Sequence, residues 1–411
     1  MNQRLLDEFR PGLSVYIQGA GGEPLALGPM LGSAPEALAG VALTSCLLPG
    51  INAFDYAGLN ETARLTTFML PPALRASFEA GRVIVRPMAY SQIVQVLASG
   101  PPPDLAILQV TAPDGEGLCS FGPCSDFAPL VWGRARRRVG FVNARLPRAR
   151  RGPTIPFDAL DVVIEADGPF ITGEEAAPVS EDQAAIAERI ADLVPDGAAL
   201  QTGIGGAPAA AVARLAGHRG LVIRSGMVTE GYRALADAGA LTSDADHITG
   251  LALGSTDFMD WAARTLIFAD VTVTHGAASL ARARRLYAIN SALEVDLFGQ
   301  ANIEWRSGRL VSGLGGAPDF ARAARRSDDG RAILALPATA AGGRISRIVA
   351  RLDAPTASIP RDDTDLVITE HGVADLRGAS LDARAEALIG VAAPEHRDRL
   401  AGEWEAMRRR M

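Results

Sequence analysis

The chain has 411 residues, 48% hydrophobic and 21% charged, with 40 basic and 47 acidic side chains and a net charge of −7. This balance excludes a disordered chain and argues against non-specific nucleic-acid or membrane-surface binding. The sequence contains no lysine, which removes Schiff-base chemistry, a Walker lysine and pyridoxal phosphate attachment.

The N-terminus, MNQRLLDEFRPGLSVYI, lacks the apolar core of a signal peptide. No apolar run approaches the ~18 residues of a membrane span. The three cysteines Cys46, Cys119 and Cys124 are an odd number, which argues against a disulfide framework and for a reducing, cytoplasmic address. Strands are predicted at 13–17, 82–85, 104–110, 139–143, 162–165, 198–202, 221–224, 271–274, 332–336 and 366–369. Helices are predicted at 61–68, 72–79, 181–193, 207–215, 231–238, 319–325 and 382–389. Continuously apolar strands alternating with helices predict an α/β protein with mostly parallel sheets. Residues 174–179 read as a polar linker, and Ser180 before Glu181 and Asp182 reads as an N-cap. The expected domains are 1–178 and 179–411.

GxGGxP occurs at 19–24, 203–208 and 313–318, which suggests two similar halves that each open with a strand, a glycine loop and a helix. Proline at the sixth position (Pro24, Pro208, Pro318) separates these loops from a dinucleotide fingerprint. Such a loop aims backbone N–H groups at an anion. The loop at 313–318 follows INSALEVDLFGQ, in which Glu294 and Asp296 alternate along an apparent strand and would share a face. Acids in so apolar a setting are rare unless paired or functional.

Six segments in order resemble the acetyl-CoA hydrolase/transferase family: PDLAILQVTAPDGEGLCSFG from Pro103, GIGGAP from Gly203, NSALEVDLFGQAN from Asn290, SGLGGAPDFARAAR from Ser312, VITEHGVADLRG from Val367 and ALIGVAAPEHRDRL from Ala387. The resemblance implies two open CoA-transferase-type α/β domains and maps a nucleophilic glutamate onto Glu294. It implies a CoA-transferase that moves CoA between a short acyl-CoA and a carboxylic acid through a glutamyl-CoA thioester. An acyl-CoA hydrolase is the alternative on the same scaffold, and a non-catalytic binding protein is a third reading. It also implies a homodimer or larger assembly, no permanently bound cofactor and CoA as substrate.

For the oxyanion, Gly315 and Gly316 are candidates from their loop chemistry, and Gly372 in TEHG from the family pattern. The resemblance also implies CoA contacts at Val271, Thr272, Val273, Thr274, His275, Ile368 and Gly390. Three departures stand out. Arg224-Ser225-Gly226-Met227 has glycine where many members carry a glutamate in an HSEM-like segment, and His371 and Phe298 replace other side chains.

Eight arginines between Arg134 and Arg151 read better as a solvated helix end and loop than as a CoA phosphate dock. Cys119 and Cys124 lack zinc spacing, the five histidines are scattered, and no metal is expected. Neither nucleic acid nor a membrane is an expected partner.

Overall fold

The computed structural model describes residues 2–173 and 178–411. Residues 174–177 of the expected linker lie outside the described residues. The chain divides into two units, one of Met1–Glu175, Ile248–Gly276 and Val311–Gly315, the other of Ala176–His247, Ala277–Leu310 and Gly316–Met411. The first cut falls at 175/176, close to the expected boundary, and the chain then returns twice to the first unit.

The first unit is built on parallel strands β1 (Ser14–Ile17), β2 (Ala42–Thr44), β3 (Arg64–Thr67), β4 (Val83–Val85), β5 (Leu105–Val110), β6 (Arg137–Val142) and β7 (Val162–Glu165), in the order β4-β3-β2-β1-β5-β6-β7. All six residues of β5 are buried, as a central strand covered on both faces requires. Two expectations fail in this unit. Residues 61–68, expected as a helix, contain strand β3. Thr66 and Thr67 are β-branched, and β3 pairs in parallel with both β2 and β4. Residues 271–274, expected as a strand, form the short helix Val271–Thr274, whose N-cap Asp270 accepts from Thr272 N at 2.8 Å.

The second unit places β8 (Ala199–Thr202), β9 (Val222–Val228), β10 (Leu286–Ser291), β13 (Arg331–Ala335), β15 (Leu366–Thr369) and β16 (Gly372–Asp375) in the order β9-β8-β10-β13-β15-β16. These pairs are parallel except the β15–β16 hairpin. A small sheet, β12-β11-β14, joins β11 (Glu294–Asp296) to β12 (Ala301–Asn302) and β14 (Ile348–Val349). Helix Glu181–Leu193 starts where expected. Ser180 Oγ accepts from Gln183 N at 3.2 Å while Ser180 N donates to Gln183 Oε1 at 3.0 Å.

The three glycine loops diverge. The first runs into the 3-10 turn Ala20–Gly22, the second into helix Gly206–Arg214 and the third into helix Ala317–Arg326. In the second, Gly205 has φ +147°, and a Cβ there would stand 2.3 Å from Ser291 Oγ. Gly205→Ala is expected to destabilise the protein by ~1–3 kcal/mol through backbone strain, read by urea unfolding. This contact is fixed by strand ends, since Gln201 and Asn290 exchange side-chain amide bonds at 3.2 and 3.0 Å.

Candidate functional site

Val295 and Ile348 are paired across β11 and β14 and are fully buried. Each contributes ~1.5–3 kcal/mol of burial. Side chains alternate along a strand, so Glu294 faces away from that core. It is half-buried and pairs across β12 with Asn302. Asn302 Nδ2 donates to Glu294 Oε1 at 3.0 Å and to Trp305 O at 2.7 Å. Asn302 Oδ1 accepts from Glu304 N and Trp305 N at 3.0 and 2.8 Å, so the amide is locked. Ala354 N also donates to Glu294 Oε1, at 3.3 Å. One oxygen is thus anchored, and the other, Oε2, has no hydrogen-bond partner among the described residues.

Asp296 has a different job. It is buried and accepts from Phe298 N at 3.1 Å, from Gln300 N at 2.9 Å and from Gln300 Nε2 at 2.8 Å. Burial pushes its carboxyl above the usual range despite those bonds. It caps the turn into β12. Phe298 packs edge-on against Trp404, ring centroids 5.5 Å apart, with the core of the unit.

Three further candidates converge in the second unit. Ile368 is fully buried in β15, between Ala335 and Val373, so its side chain belongs to the core. Gly372 closes the hairpin opposite Thr369, with Glu370 and His371 at the tip. Thr369 Oγ1 donates to Val391 O at 2.6 Å, which ties the hairpin to the end of helix Leu381–Val391, where Gly390 lies. Both Glu370 carboxylate oxygens accept from Ala338 N, at 3.0 and 2.9 Å. Ala338 O accepts from Arg347 N, and Arg347 O from Val295 N, each at 2.8 Å. A line of hydrogen bonds therefore runs from the hairpin tip to the strand of Glu294. His371 Nε2 stands 3.5 Å from Glu370 Oε1.

Gly315 belongs to the first unit and Gly316 to the second. Gly315 has φ +57°, and its carbonyl accepts from Tyr90 N at 3.1 Å. Gly316 is the N-cap of helix Ala317–Arg326. The expected contacts Val271, Thr272, Val273, Thr274 and His275 all lie in the first unit. Val271 and Thr274 are buried, whereas Val273 is exposed. Val271 N donates to Asp126 O at 3.0 Å.

His275 is buried beside Tyr90, ring centroids 4.8 Å apart, with Nδ1 2.8 Å from Thr274 Oγ1. Burial lowers its pKa to about 3. Asp126 in the same unit is pushed up to about 7 by burial, against a hydrogen bond from Phe127 N. The two act on stability with opposite signs. Below pH ~6.5 the unfolded chain takes up a proton that folded His275 refuses, so His275 removes about 1.4 kcal/mol of stability per pH unit as pH falls. Asp126 keeps a proton that the unfolded chain gives up above pH ~3.9, so its contribution is lost as pH rises toward 7. The pair should leave stability nearly flat between about pH 4 and 6.5. In His275→Gln, urea unfolding should show stability falling as pH rises through that window; an unchanged profile contradicts the assignment.

Most of the arginine stretch is spent on structure. Arg136 pairs with Asp104 at 3.1 Å, Arg137 with Glu8 at 2.6 Å and Arg148 with Asp114. Arg134 donates to Gly100 O at 2.7 Å, and Arg138 lies 4.7 Å over the Trp132 ring. All three cysteines are free and buried. Among the described residues no group of three or more His, Cys, Asp or Glu could hold a metal ion, and no helix is long and apolar enough to cross a membrane.

Sequence reasoning missed Asn302, Ala354 and Arg347. Asn302 follows Glu294 by eight residues in a hairpin, a signal the antiparallel return could have given. Ala354 and Arg347 arrive from a distant segment and leave no local signal.

Comparison with known proteins closes the question of family. The acetyl-CoA hydrolase/transferase C-terminal domain matches residues 254–404. A 4-hydroxybutyrate coenzyme A transferase from Clostridium kluyveri is 30% identical over 95% of this chain and 93% of its own length. The crystal structure of a 4-hydroxybutyrate CoA-transferase from Porphyromonas gingivalis is 30% identical, covers 100% of this chain and 97% of its own, and superposes with a TM-score of 0.81. RipA from Yersinia pestis is 26% identical over 99% of this chain and 97% of its own, with a TM-score of 0.90. With two open, mostly parallel α/β units and a relative similar along nearly its whole length, the chain belongs to the acetyl-CoA hydrolase/transferase family.

Proposed function

We propose that the protein is a CoA-transferase that moves CoA between a short-chain acyl-CoA and a carboxylic acid, with Glu294 as the nucleophile. The observation that carries the assignment is the state of that carboxylate: half-buried, one oxygen held by Asn302 and Ala354, the other without a partner among the described residues. In this reading a Glu294 oxygen attacks the acyl-CoA carbonyl, the C–S bond breaks, and CoA leaves as thiolate. The acyl–glutamyl anhydride is then attacked by that thiolate at the glutamyl carbonyl, which releases the first acid as a carboxylate and leaves a glutamyl-CoA thioester. A second carboxylate attacks the thioester and expels CoA thiolate, which attacks the new acyl carbonyl and restores the Glu294 carboxylate. Thioester and anhydride are similarly activated, so no ATP is spent. Asn302 Nδ2 and Ala354 N lie where they can donate to the glutamyl oxygen as charge develops on it.

A second reading rests on Gly226, which lies in β9 where many members of the family carry a glutamate. If the family's carboxylate chemistry is lodged at that position, this chain lacks it. Water would then cleave the thioester directly, and Glu294 would only tie the segment at Ala354 to the β11–β12 hairpin. Product analysis with acetyl-CoA, with and without butyrate, tests the two. Butyryl-CoA formed in proportion to acetate supports transfer; acetate and CoA alone support hydrolysis. Gly226→Glu sharpens the test, since a gain of transfer in that variant favours the second reading.

A further inference from the structure

The backbone of Arg347 runs in register beside that of Glu294, and among the described residues its side chain makes no ion pair. The pairing of Val295 with Ile348, and the bond from Val295 N to Arg347 O, place Arg347 alongside Glu294 one step back along the parallel strands. Residues in register share a face. Asn302, Glu294 and Arg347 thus form one row, opposite the buried face of Val295 and Ile348.

The backbone of Arg347 is engaged on both sides, its N–H with Ala338 O and its carbonyl with Val295 N. Its guanidinium is not. The residue is half-buried, yet among the described residues its five donors make no hydrogen bond or ion pair. Three other arginines of the unit are occupied: Arg325 and Arg377 share Asp365, and Arg384 donates to Phe298 O and Arg361 O, each at 3.1 Å. Two charged groups act on Arg347. Arg306, exposed on the hairpin that follows β12, repels it, and Glu370 attracts it. The Glu370 carboxylate is already bonded to Ala338 N. A half-buried guanidinium with free donors, beside a second arginine, offers charged donors suited to an anion.

We propose that Arg347 is the anion-binding residue of the Glu294 site and that it takes the carboxylate of the acid substrate. The proposal rests on the proposed function only in that a free acid is substrate or product, which holds for transfer and for hydrolysis alike. An acid that approaches Glu294 meets a like charge, and the guanidinium one strand away offsets it. A phosphate of CoA has the same chemistry and is the other source of such an anion.

Equilibrium dialysis separates the sources and needs no turnover. Radiolabelled butyrate and, separately, CoA are dialysed against the full chain as wild type, Arg347→Met and Arg347→Lys. Methionine keeps an apolar stem, and the backbone bonds to Ala338 and Val295 remain. Arg347→Met should weaken butyrate binding at least tenfold and leave CoA binding within twofold, and Arg347→Lys should recover part of the loss. Should Arg347→Met fail to fold, Arg347→Gln carries the same expectation. Unchanged butyrate affinity, or no butyrate binding by the wild type, overturns the proposal. Weakened CoA with unchanged butyrate assigns the guanidinium to a phosphate and overturns it too. Failure to trap acyl groups on Glu294 would refute the nucleophile and leave this result standing.

Discussion

Glu294→Gln should lower acetyl-CoA turnover by ~10³-fold or more while leaving CoA affinity within about tenfold. The amide oxygen can still accept from Asn302 Nδ2 and Ala354 N, so the anchor survives and only the nucleophile is lost. Glu294→Ala is the harsher variant, because it strips the acceptor from both donors and so adds a structural cost to the chemical one. Near-wild-type turnover in Glu294→Gln, measured by thiol release, would remove the carboxylate from the mechanism and reduce it to a structural tie.

The largest expected loss of stability comes from Asp365. Its side chain is wholly buried at the start of β15. Arg377 binds it through Nε at 2.9 Å and Nη2 at 2.6 Å, Ala332 N donates at 3.0 Å, and Arg325 completes the cluster. This one carboxylate joins β13, β15, the segment after β16 and helix Ala317–Arg326. Removing it strands two guanidinium groups, and breaking such a pair costs ~3–5 kcal/mol. Asp365→Ala should show that loss in urea unfolding; a cost below ~1 kcal/mol would mean that the arginines find water instead. Burial alone would raise the Asp365 carboxyl, but the bonds from Arg377 and Ala332 N and the charges of Arg377 and Arg325 hold it below the usual range. A depressed acid adds stability above its unfolded pKa, near ~3.9, which is lost as pH falls through the folded value. The wild type should therefore lose stability below about pH 4 in a way that Asp365→Ala does not. Because β15 leads to the Glu370–His371 tip, the same variant should also disturb the site.

Much of the architecture could be read from local pattern. Continuous apolar runs such as LAILQV marked strands buried on both faces, and Ser180 with Gln183 marked a helix start. The misread segments were those where tertiary partners overrule local preference. VTVT reads as a strand, yet Asp270 caps it and Val271 N finds Asp126 O, so it turns as a helix. ETARLTTF reads as a helix, yet its last residues add a strand between β2 and β4. At the site, the resemblance pointed to Glu294, but the residue pattern by itself did not separate it from Asp296. That needed their hydrogen bonds: Asp296 spends its oxygens on a turn, whereas Glu294 keeps one free of bonds among the described residues. Arg347 was invisible because its relation to Glu294 depends on a register set 53 residues away. Family resemblance also marked Gly226, Phe298 and His371 as departures. Of these, Phe298 is explained by packing against Trp404.

The most direct test of the account is to incubate the wild type with acetyl-CoA, quench with borohydride, and map the modified peptide by mass spectrometry. The account predicts reduction of a glutamyl thioester at Glu294, with the peptide that spans β11 carrying the alcohol in place of the acid. Full turnover with that peptide unmodified, or with the mark on another side chain, would contradict it.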